Sequence, residues 1–417
     1  MSTLDIEAQI LALRERMVAA AQSADRMVAL RPPPPPAPSL ESTVPGEEVQ
    51  TPHGRHYEAT HDWDQHRRHG NVELSALQQL PSDLLQEITE GRVKAAPPES
   101  WAFLDTETTG LAGGSGTCAF LIGIGRITAG GFTVRQYFMR DFAEEASQLS
   151  AVAAALEDVE VLVTYNGTCF DLPLLETRYR MTRAIPPFQN IPHLDLLYGA
   201  RRLWRLRLES CKLTELETRI IGHEREDDIP GELIPVAYFD FVRTGRVSRL
   251  APVFLHNALD IVSLACLTGV VPAAFRRDES GAPACMDLHH PAECVAMGRW
   301  LRQAGQAEHA RLLFRRAIGR NLDDQLLYRT MWDLADLERK FQEHAAAVEL
   351  WTQLASMRNP HQAGALVALA KYYEHRERNF AMALECTEAA LALEPAEAIE
   401  HRRRRLRARA SQSLLIS

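Results

Sequence analysis

Asp105 and Glu107 follow the short apolar run of residues 101–104 (WAFL). In a β-strand, residues i and i+2 point to the same face. The two carboxylates would therefore stand side by side and repel each other unless a cation lay between them. Hard cations such as Mg²⁺ take oxygen ligands of this kind. Two later stretches add acids in order, residues 165–171 (YNGTCFD) with Asp171 and residues 256–260 (HNALD) with Asp260. His256 and Asp260 are four apart, so on a helix they share a face about one turn apart. One can bind metal while the other meets a nucleophilic water, and an imidazole of ordinary pKa, about 6.5, accepts a proton at neutral pH. The alternative for His256 is a residue near a helix N-terminus with no chemical part.

DTETTGL (105–111), NGTCFD (166–171) and HNALD together resemble the three exonuclease motifs of the DEDD superfamily, which has a ribonuclease H-like fold. More narrowly, residues 92–267 are similar to the YprB-type ribonuclease H-like proteins. Arg225, Asp228, Ile229, Pro230 and Gly231 also carry that likeness. The resemblance covers less than half of the chain. It implies Asp105, Glu107, Asp171 and Asp260 as carboxylates holding two divalent cations, Mg²⁺ or Mn²⁺. Asp105 would bridge both ions, Glu107 and Asp260 would complete the site of the water-activating ion, and Asp171 would act through the second. It further implies hydrolysis of DNA or RNA phosphodiester bonds in the 3′–5′ direction. His256 departs from both main subfamily patterns. The histidine type places its base five residues before the last aspartate and the tyrosine type four, whereas here a histidine stands at the four-residue spacing. Expected substrate contacts are Thr108, Thr109, Leu111 and Asn166. Leu111 either wedges under a terminal base or packs in the core. Asn166 either orients Asp171 or the substrate, or closes an Asn-Gly turn. Asp195 is left out of the ligand set, and Cys169 is expected to be a small buried residue and no nucleophile.

At 417 residues, 46% of them hydrophobic and 24% charged, the chain is long enough for two or three domains and a sizeable core. No apolar run is read as approaching the ~20 residues that span a bilayer. The N-terminus lacks a basic region followed by an apolar core, with Asp5 and Glu7 interrupting it. The seven cysteines include no CxxC pair, which favours reduced thiols in the cytoplasm over a disulfide framework or a zinc site. The net charge of −9 does not advertise nucleic-acid binding, but bound cations invert the local charge of a metal site. Residues 199–212 carry Arg201, Arg202, Arg205, Arg207 and Lys212 against Glu209. That segment is either a phosphate-backbone contact or a solvated helix face.

The elements that must position these residues follow from the pattern. Residues 3–29 read as an amphipathic helix with Ile6, Ile10, Leu13 and Met17 on one face. The proline run of residues 31–38 opens a linker expected to reach residue 50. Residues 51–70 hold His53, His56, His61, His66 and His69 at spacings that match no zinc pattern. With Gly54, Arg55 and Tyr57 they read as a strand or turn docking on the catalytic domain. Residues 72–88 read as a helix. Strands are expected at 101–104, 119–127 and 132–138, the last two joined by Gly130-Gly131. A helix over 144–157, a buried strand at 159–164, a helix from Asp171, a strand at 191–195 and the basic helix complete a ribonuclease H-like order.

After Met286 the composition turns helical and alanine-rich. Residues 306–318, 343–354 and 379–391 resemble one another, with Ala310, Ala347 and Ala383 in equivalent places and Phe314, Trp351 or Thr387 four residues on. This looks like tetratricopeptide-type repeats, which stack and present a concave surface for a protein partner. The basic tail, Arg402–Arg405 with Arg407 and Arg409, reads as a solvated helix end. The expected architecture is therefore α/β, a ribonuclease H-like mixed sheet flanked by helices, followed by an all-α region. Its divisions are 1–50 for the leading helix and linker, 51–285 for the nuclease domain and 286–417 for the repeats. The expected function is a cytoplasmic, metal-dependent 3′–5′ exonuclease with DNA or RNA as partner and no membrane. The alternatives are a catalytically silent scaffold that binds nucleic acid or protein, and a structure-selective endonuclease on the same fold.

Overall fold

The structure, a computed structural model, describes residues 39–110, 116–277 and 283–413. The amphipathic N-terminal helix, the proline run and Leu111 fall outside the described residues. Seven strands form one mixed sheet: β1 (Gly46–Thr51), β2 (Gly54–Asp64), β3 (Trp101–Thr108), β4 (Ala119–Thr128), β5 (Gly131–Phe138), β6 (Val161–Thr164) and β7 (His193–Asp195). Their spatial order is β1-β2-β5-β4-β3-β6-β7. The meander β3-β4-β5 and the β1-β2 extension are antiparallel, and β6 and β7 run parallel beside β3. This is the expected mixed sheet, with one difference. Residues 46–50, read as linker, form its edge strand together with Thr51. The adjacent prolines suggested a linker, but Gly46–Thr51 pairs residue by residue with β2.

β3 is buried on both faces, which is why it reads as an unbroken apolar run. Ala102 and Leu104 pack toward helices α1 (Glu145–Ala155) and α2 (Asp171–Met181) with Leu149, Val152, Leu175 and Tyr179. Trp101 and Phe103 face the other side, toward Ile261, Val262 and Ala265. Those residues lie on a 21-residue helix beyond α3 (Leu196–Trp204) and α4 (Ile234–Thr244), namely α5 (Leu250–Val270). By length and hydropathy, Leu250–Phe275 could cross a membrane, which corrects the expectation that no such run exists. Of its most apolar stretch 67% is buried within the protein, as in a helix crossing the middle of the fold. Two glycines of β4 let α5 come close. A Cβ on Gly123 would collide with Asn257 and Ile261, and one on Gly125 with Ile261 and Phe132.

Residues 72–88 do not form the expected helix. A two-residue strand pairing (Arg68–His69 with Val72–Glu73) and a four-residue helix (Ser75–Gln78) give way to successive turns. Pro81 cannot donate a helical hydrogen bond, and Leu84, Leu85 and Val93 anchor the turns in the core. The basic helix ends at Trp204.

The C-terminal region is all-helical: α6 (Pro291–Gln303), α7 (Ala307–Ile318), α8 (Asp324–Lys340), α9 (His344–Ser356), α10 (Gln362–Tyr372), α11 (Phe380–Leu393) and α12 (Glu397–Ser413). Ala310, Ala347 and Ala383 are fully buried where neighbouring helices meet, and Phe314, Trp351 and Thr387 are buried beside them. One apolar core runs from the sheet through Phe275 and Cys285 into Val295, Met297, Leu313, Phe314 and Leu334. Arg207 bonds Glu293 at 2.7 Å, and the Arg202 guanidinium lies 6.0 Å from the Trp300 ring centre, so two cations of the basic stretch fasten the helical region to the sheet. The basic tail is likewise engaged. Arg402, Arg405 and Arg409 converge on the buried Glu374, and Arg407 bonds Glu388 at 2.6 Å.

Overpacking a well-filled contact costs about 1–3 kcal/mol. Gly123→Ala should destabilise the protein by that amount in urea unfolding, because the new methyl pushes directly against α5.

Candidate active site

Asp105 and Glu107 extend β3 beyond the last residue it pairs with β6, Phe103. They thus stand at the carboxyl edge of the parallel strands, where open α/β sheets gather ligand-binding residues. Asp171 begins α2, after the Asn166-Gly167 turn that ends β6. Asp260 and His256 come from the middle of α5. All five line one cavity of about 750 Å³, with Thr106, Thr108, Tyr165, Asn166, Cys169 and Phe170. The sequence-predicted acids and histidine are therefore brought together.

Their electrostatics show what the arrangement lacks. Burial, then Asp260, Asp171 and Glu107, push the Asp105 carboxyl well above the usual range. Burial, Asp260 and Asp171 do the same to Glu107. Burial raises Asp171 to about 6 against the pull of the Thr106 hydroxyl, which donates to its Oδ1 at 2.6 Å. Burial also raises Asp260, opposed by Arg225 and His256. Asp260 and Asp171 raise the proton affinity of Asp105 and Glu107, so cations would relieve the repulsion, and the oxygen-only donor set suits Mg²⁺ or Mn²⁺. Among the described residues, no three of these acids bring ligand oxygens within 4.8 Å of one another.

Several residues with no assigned role turn out to hold the acids in place. The Asn257 side chain donates to Asp105 Oδ2 at 2.9 Å and accepts from Gln136 Nε2 at 2.8 Å. It is the asparagine of HNALD, and the signal was its place one turn before Asp260's neighbour on the buried face of α5. Thr106 alternates with Asp105 and Glu107 along β3, so it faces α2 and reaches Asp171 while they face α5. Arg225 and Asp228, noted in sequence only as part of a likeness, form the hub of the site. The Arg225 guanidinium bonds Asp260, Glu217 through Nε at 2.6 Å, and Asp228 Oδ2 at 3.2 Å. Burial works against its charge, but Asp260 and Glu217 more than compensate and keep it protonated. Asp228 Oδ1 lies 2.8 Å from His256 Nδ1, and His256 Nε2 lies 3.7 Å from Asp260 Oδ2. Arg225 Nη1 also lies 3.3 Å from His256 Nδ1; in the tautomer that carries its proton on Nδ1, the ring donates to Asp228 and presents Nε2 to the acids as an acceptor.

Other expectations resolve individually. Thr108 lines the cavity, while its hydroxyl donates to the Gly110 carbonyl at 3.0 Å. The Thr109 hydroxyl accepts from the Cys118 amide at 3.0 Å, which closes the turn after β3. Asn166 adopts a left-handed backbone with φ 65°, and its amide donates to Asp195 at 2.7 Å. Asp195 also accepts from Thr168 and Leu197, so it organises the turn, and its charge raises the proton affinity of Asp171. Cys169 is exposed on the cavity wall, which corrects its expected burial: the turn before α2 faces outward.

The fold and the acid-lined cavity define a ribonuclease H-type protein. Residues 102–271 match the family model described as the RNase_H superfamily. The chain is 34% identical over 292 residues to the uncharacterized protein YprB of Bacillus subtilis (strain 168), across 70% of this chain and 68% of that protein. It belongs to the YprB family within that superfamily. A slighter likeness is to the family B DNA polymerase from the hyperthermophilic archaeon Pyrobaculum calidifontis, with 15% identity and a TM-score of 0.32 over 49% of this chain and 29% of the polymerase.

Removing one partner of a buried ion pair costs about 3–5 kcal/mol because the other is left uncompensated. Arg225→Ala should lower unfolding free energy by that amount, since it strands the buried Glu217. Arg225→Lys should recover part of the loss, because one ammonium cannot span Glu217 and Asp260 together.

Proposed function

We propose that this protein is a metal-dependent nuclease of the DEDD type that removes nucleotides from the 3′ ends of DNA or RNA. The observation that carries the reading is the convergence of Asp105, Glu107, Asp171 and Asp260 on one cavity, each with its proton affinity raised. Asp105, Glu107, Asp171 and Asp260 would hold two ions, Mg²⁺ or Mn²⁺, which when bound supply activation of a water and stabilisation of the attacking and leaving oxygens. His256 Nε2 takes the proton of the attacking water, and Asp228 holds the ring in the tautomer that allows it. Thr106 and Asn257 fix the rotamers of Asp171 and Asp105.

On the cavity rim Phe170 is 61% exposed and offers a flat apolar face on which a terminal base can stack. Thr108 and Asn166 contact the terminal nucleotide. Arg201 and Arg205 stand close enough to Cys211 to bear on its thiol, and the Cys211 carbonyl accepts from the cavity residue Tyr165. They are placed to meet the phosphate backbone. The helices after Pro291 are read as tetratricopeptide-type repeats on the strength of the Ala310, Ala347 and Ala383 pattern. Their cavity of about 830 Å³, lined by Trp332, Arg339, Lys371 and Tyr372, would receive a protein partner.

One observation favours a non-hydrolysing scaffold: Arg225 already neutralises Asp260. A 5′-labelled oligonucleotide with Mn²⁺ separates the readings. A ladder of shortened products that disappears when the 3′ end is blocked supports the exonuclease; cleavage despite the block supports an endonuclease, and an intact substrate the scaffold. Asp105→Asn should abolish the Mn²⁺-dependent ladder. The same change should raise the melting temperature of metal-free protein. A carboxyl whose pKa is raised on folding loses stability as pH climbs from its unfolded to its folded value, and the amide removes that cost at neutral pH. Asp228→Asn should leave Mn²⁺ binding in calorimetry and reduce turnover.

A further inference from the structure

Outside the four acids, the described residues contain a group of ligands from two distant segments. His69 lies in the short strand pairing after β2, Glu217 and His223 bracket a π-helical turn (Glu217–Ile221), and their ligand atoms all lie within 4.8 Å of one another. His69 and Glu217 are buried and His223 is partly open to solvent. We propose that His69, Glu217 and His223 form a second metal site, distinct from the acid cluster, that takes a borderline divalent cation such as Zn²⁺.

The donor chemistry separates the two sites. Two imidazoles and a carboxylate suit Zn²⁺, whereas an all-oxygen set suits Mg²⁺ and Mn²⁺. His69 Nε2 lies 3.3 Å from Glu217 Oε1. That is the edge of a tetrahedron with metal–ligand bonds of about 2.0–2.1 Å. The His223 ring stacks on His69 with centroids 4.0 Å apart, and among the described residues neither of its ring nitrogens makes a hydrogen bond. A ring nitrogen of His223 is therefore available to a cation held beside His69 and Glu217.

The cradle is rigid. Gly70, with φ 60°, packs so closely on Ile221 and Gly222 that a Cβ would collide with the backbone, and the Asn71 amide donates to the Ile221 carbonyl at 2.7 Å. The surroundings also match those of metal carboxylates, which are usually hydrogen-bonded on their second oxygen. Arg225 Nε bonds Glu217 Oε2 at 2.6 Å. Ser263 donates to Oε1 and lies 2.7 Å from His69 Nε2, so its oxygen sits beside both ligand atoms and can turn aside or join as a fourth donor. The charges of the ion and Arg225 are matched by Glu217, Asp228 and Asp260. The two sites are thus joined through Arg225, which touches one ligand of each.

The test uses the full-length chain stripped of metal, with Zn²⁺ measured by equilibrium dialysis and Co²⁺ by its visible absorption. One ion with the intense bands of tetrahedral cobalt should remain in Asp105→Asn. It should be lost or weakened at least tenfold in His223→Gln, whose change lies at the partly open ligand. Zn²⁺ should raise the melting temperature of the wild type and Asp105→Asn but not that of His223→Gln. The same ion content in His223→Gln overturns the proposal, as does loss of the ion in Asp105→Asn or no ion in any form. None of these readings uses nuclease activity, so the site stands or falls apart from the proposed reaction.

Discussion

Mutual repulsion among four carboxylates in one recess is the constraint that the rest of the structure answers to. Asp105, Glu107, Asp171 and Asp260 each raise, or are raised by, a neighbour. Left to itself a loop-borne cluster of this kind would fly apart. Here each acid is anchored on a regular element whose burial resists it: β3 between two core layers, α2 through Leu175 and Tyr179, and α5 across the whole sheet. A fifth charge, Arg225, relieves Asp260 directly and is itself held by Glu217. The protein thus keeps its acids close through packing energy and one internal cation.

The positions of the acids were legible because they follow from local rules. A period of two sets Asp105 beside Glu107, a period near four sets His256 beside Asp260, and an Asn-Gly turn precedes Asp171. The meander, β6 and α2 were legible from apolar runs between turn residues. What the sequence hid were interactions between segments far apart in the chain. That Asp228 holds His256, or that Glu217 holds Arg225, depends on a connection without regular structure, where no periodicity aims a side chain. The edge strand at 46–51 was masked by the prolines before it, since pairing partners cannot be read from one strand alone. The helix expected over 72–88 failed because Leu84 and Leu85 supply helical spacing while in fact pinning consecutive turns. The apolar length of α5 was missed because Asp260 and His256 break the run in sequence, though not in space.

The histidine-rich stretch illustrates the same limit. Read alone, residues 51–70 match no metal pattern, and two of those histidines, His56 and His61, lie in the sheet. His56, for one, bonds Ser147 and Glu58. Only His69 meets partners able to bind an ion, and they come from more than a hundred residues away. Spacing rules capture ligands carried by one segment and are blind to ligands assembled by the fold.

The apolar core that passes from the sheet through Phe275 and Cys285 into Met297 and Phe314 has a consequence for how the chain can be handled. With no seam between the two halves, neither is a detachable module. Trimming the protein after residue 285 would bare an oily wall where α6 and α7 had lain, and the shortened piece would clump rather than stay folded as a smaller unit. By the same token, heat or denaturant should melt sheet and adjoining helices together, in a single step.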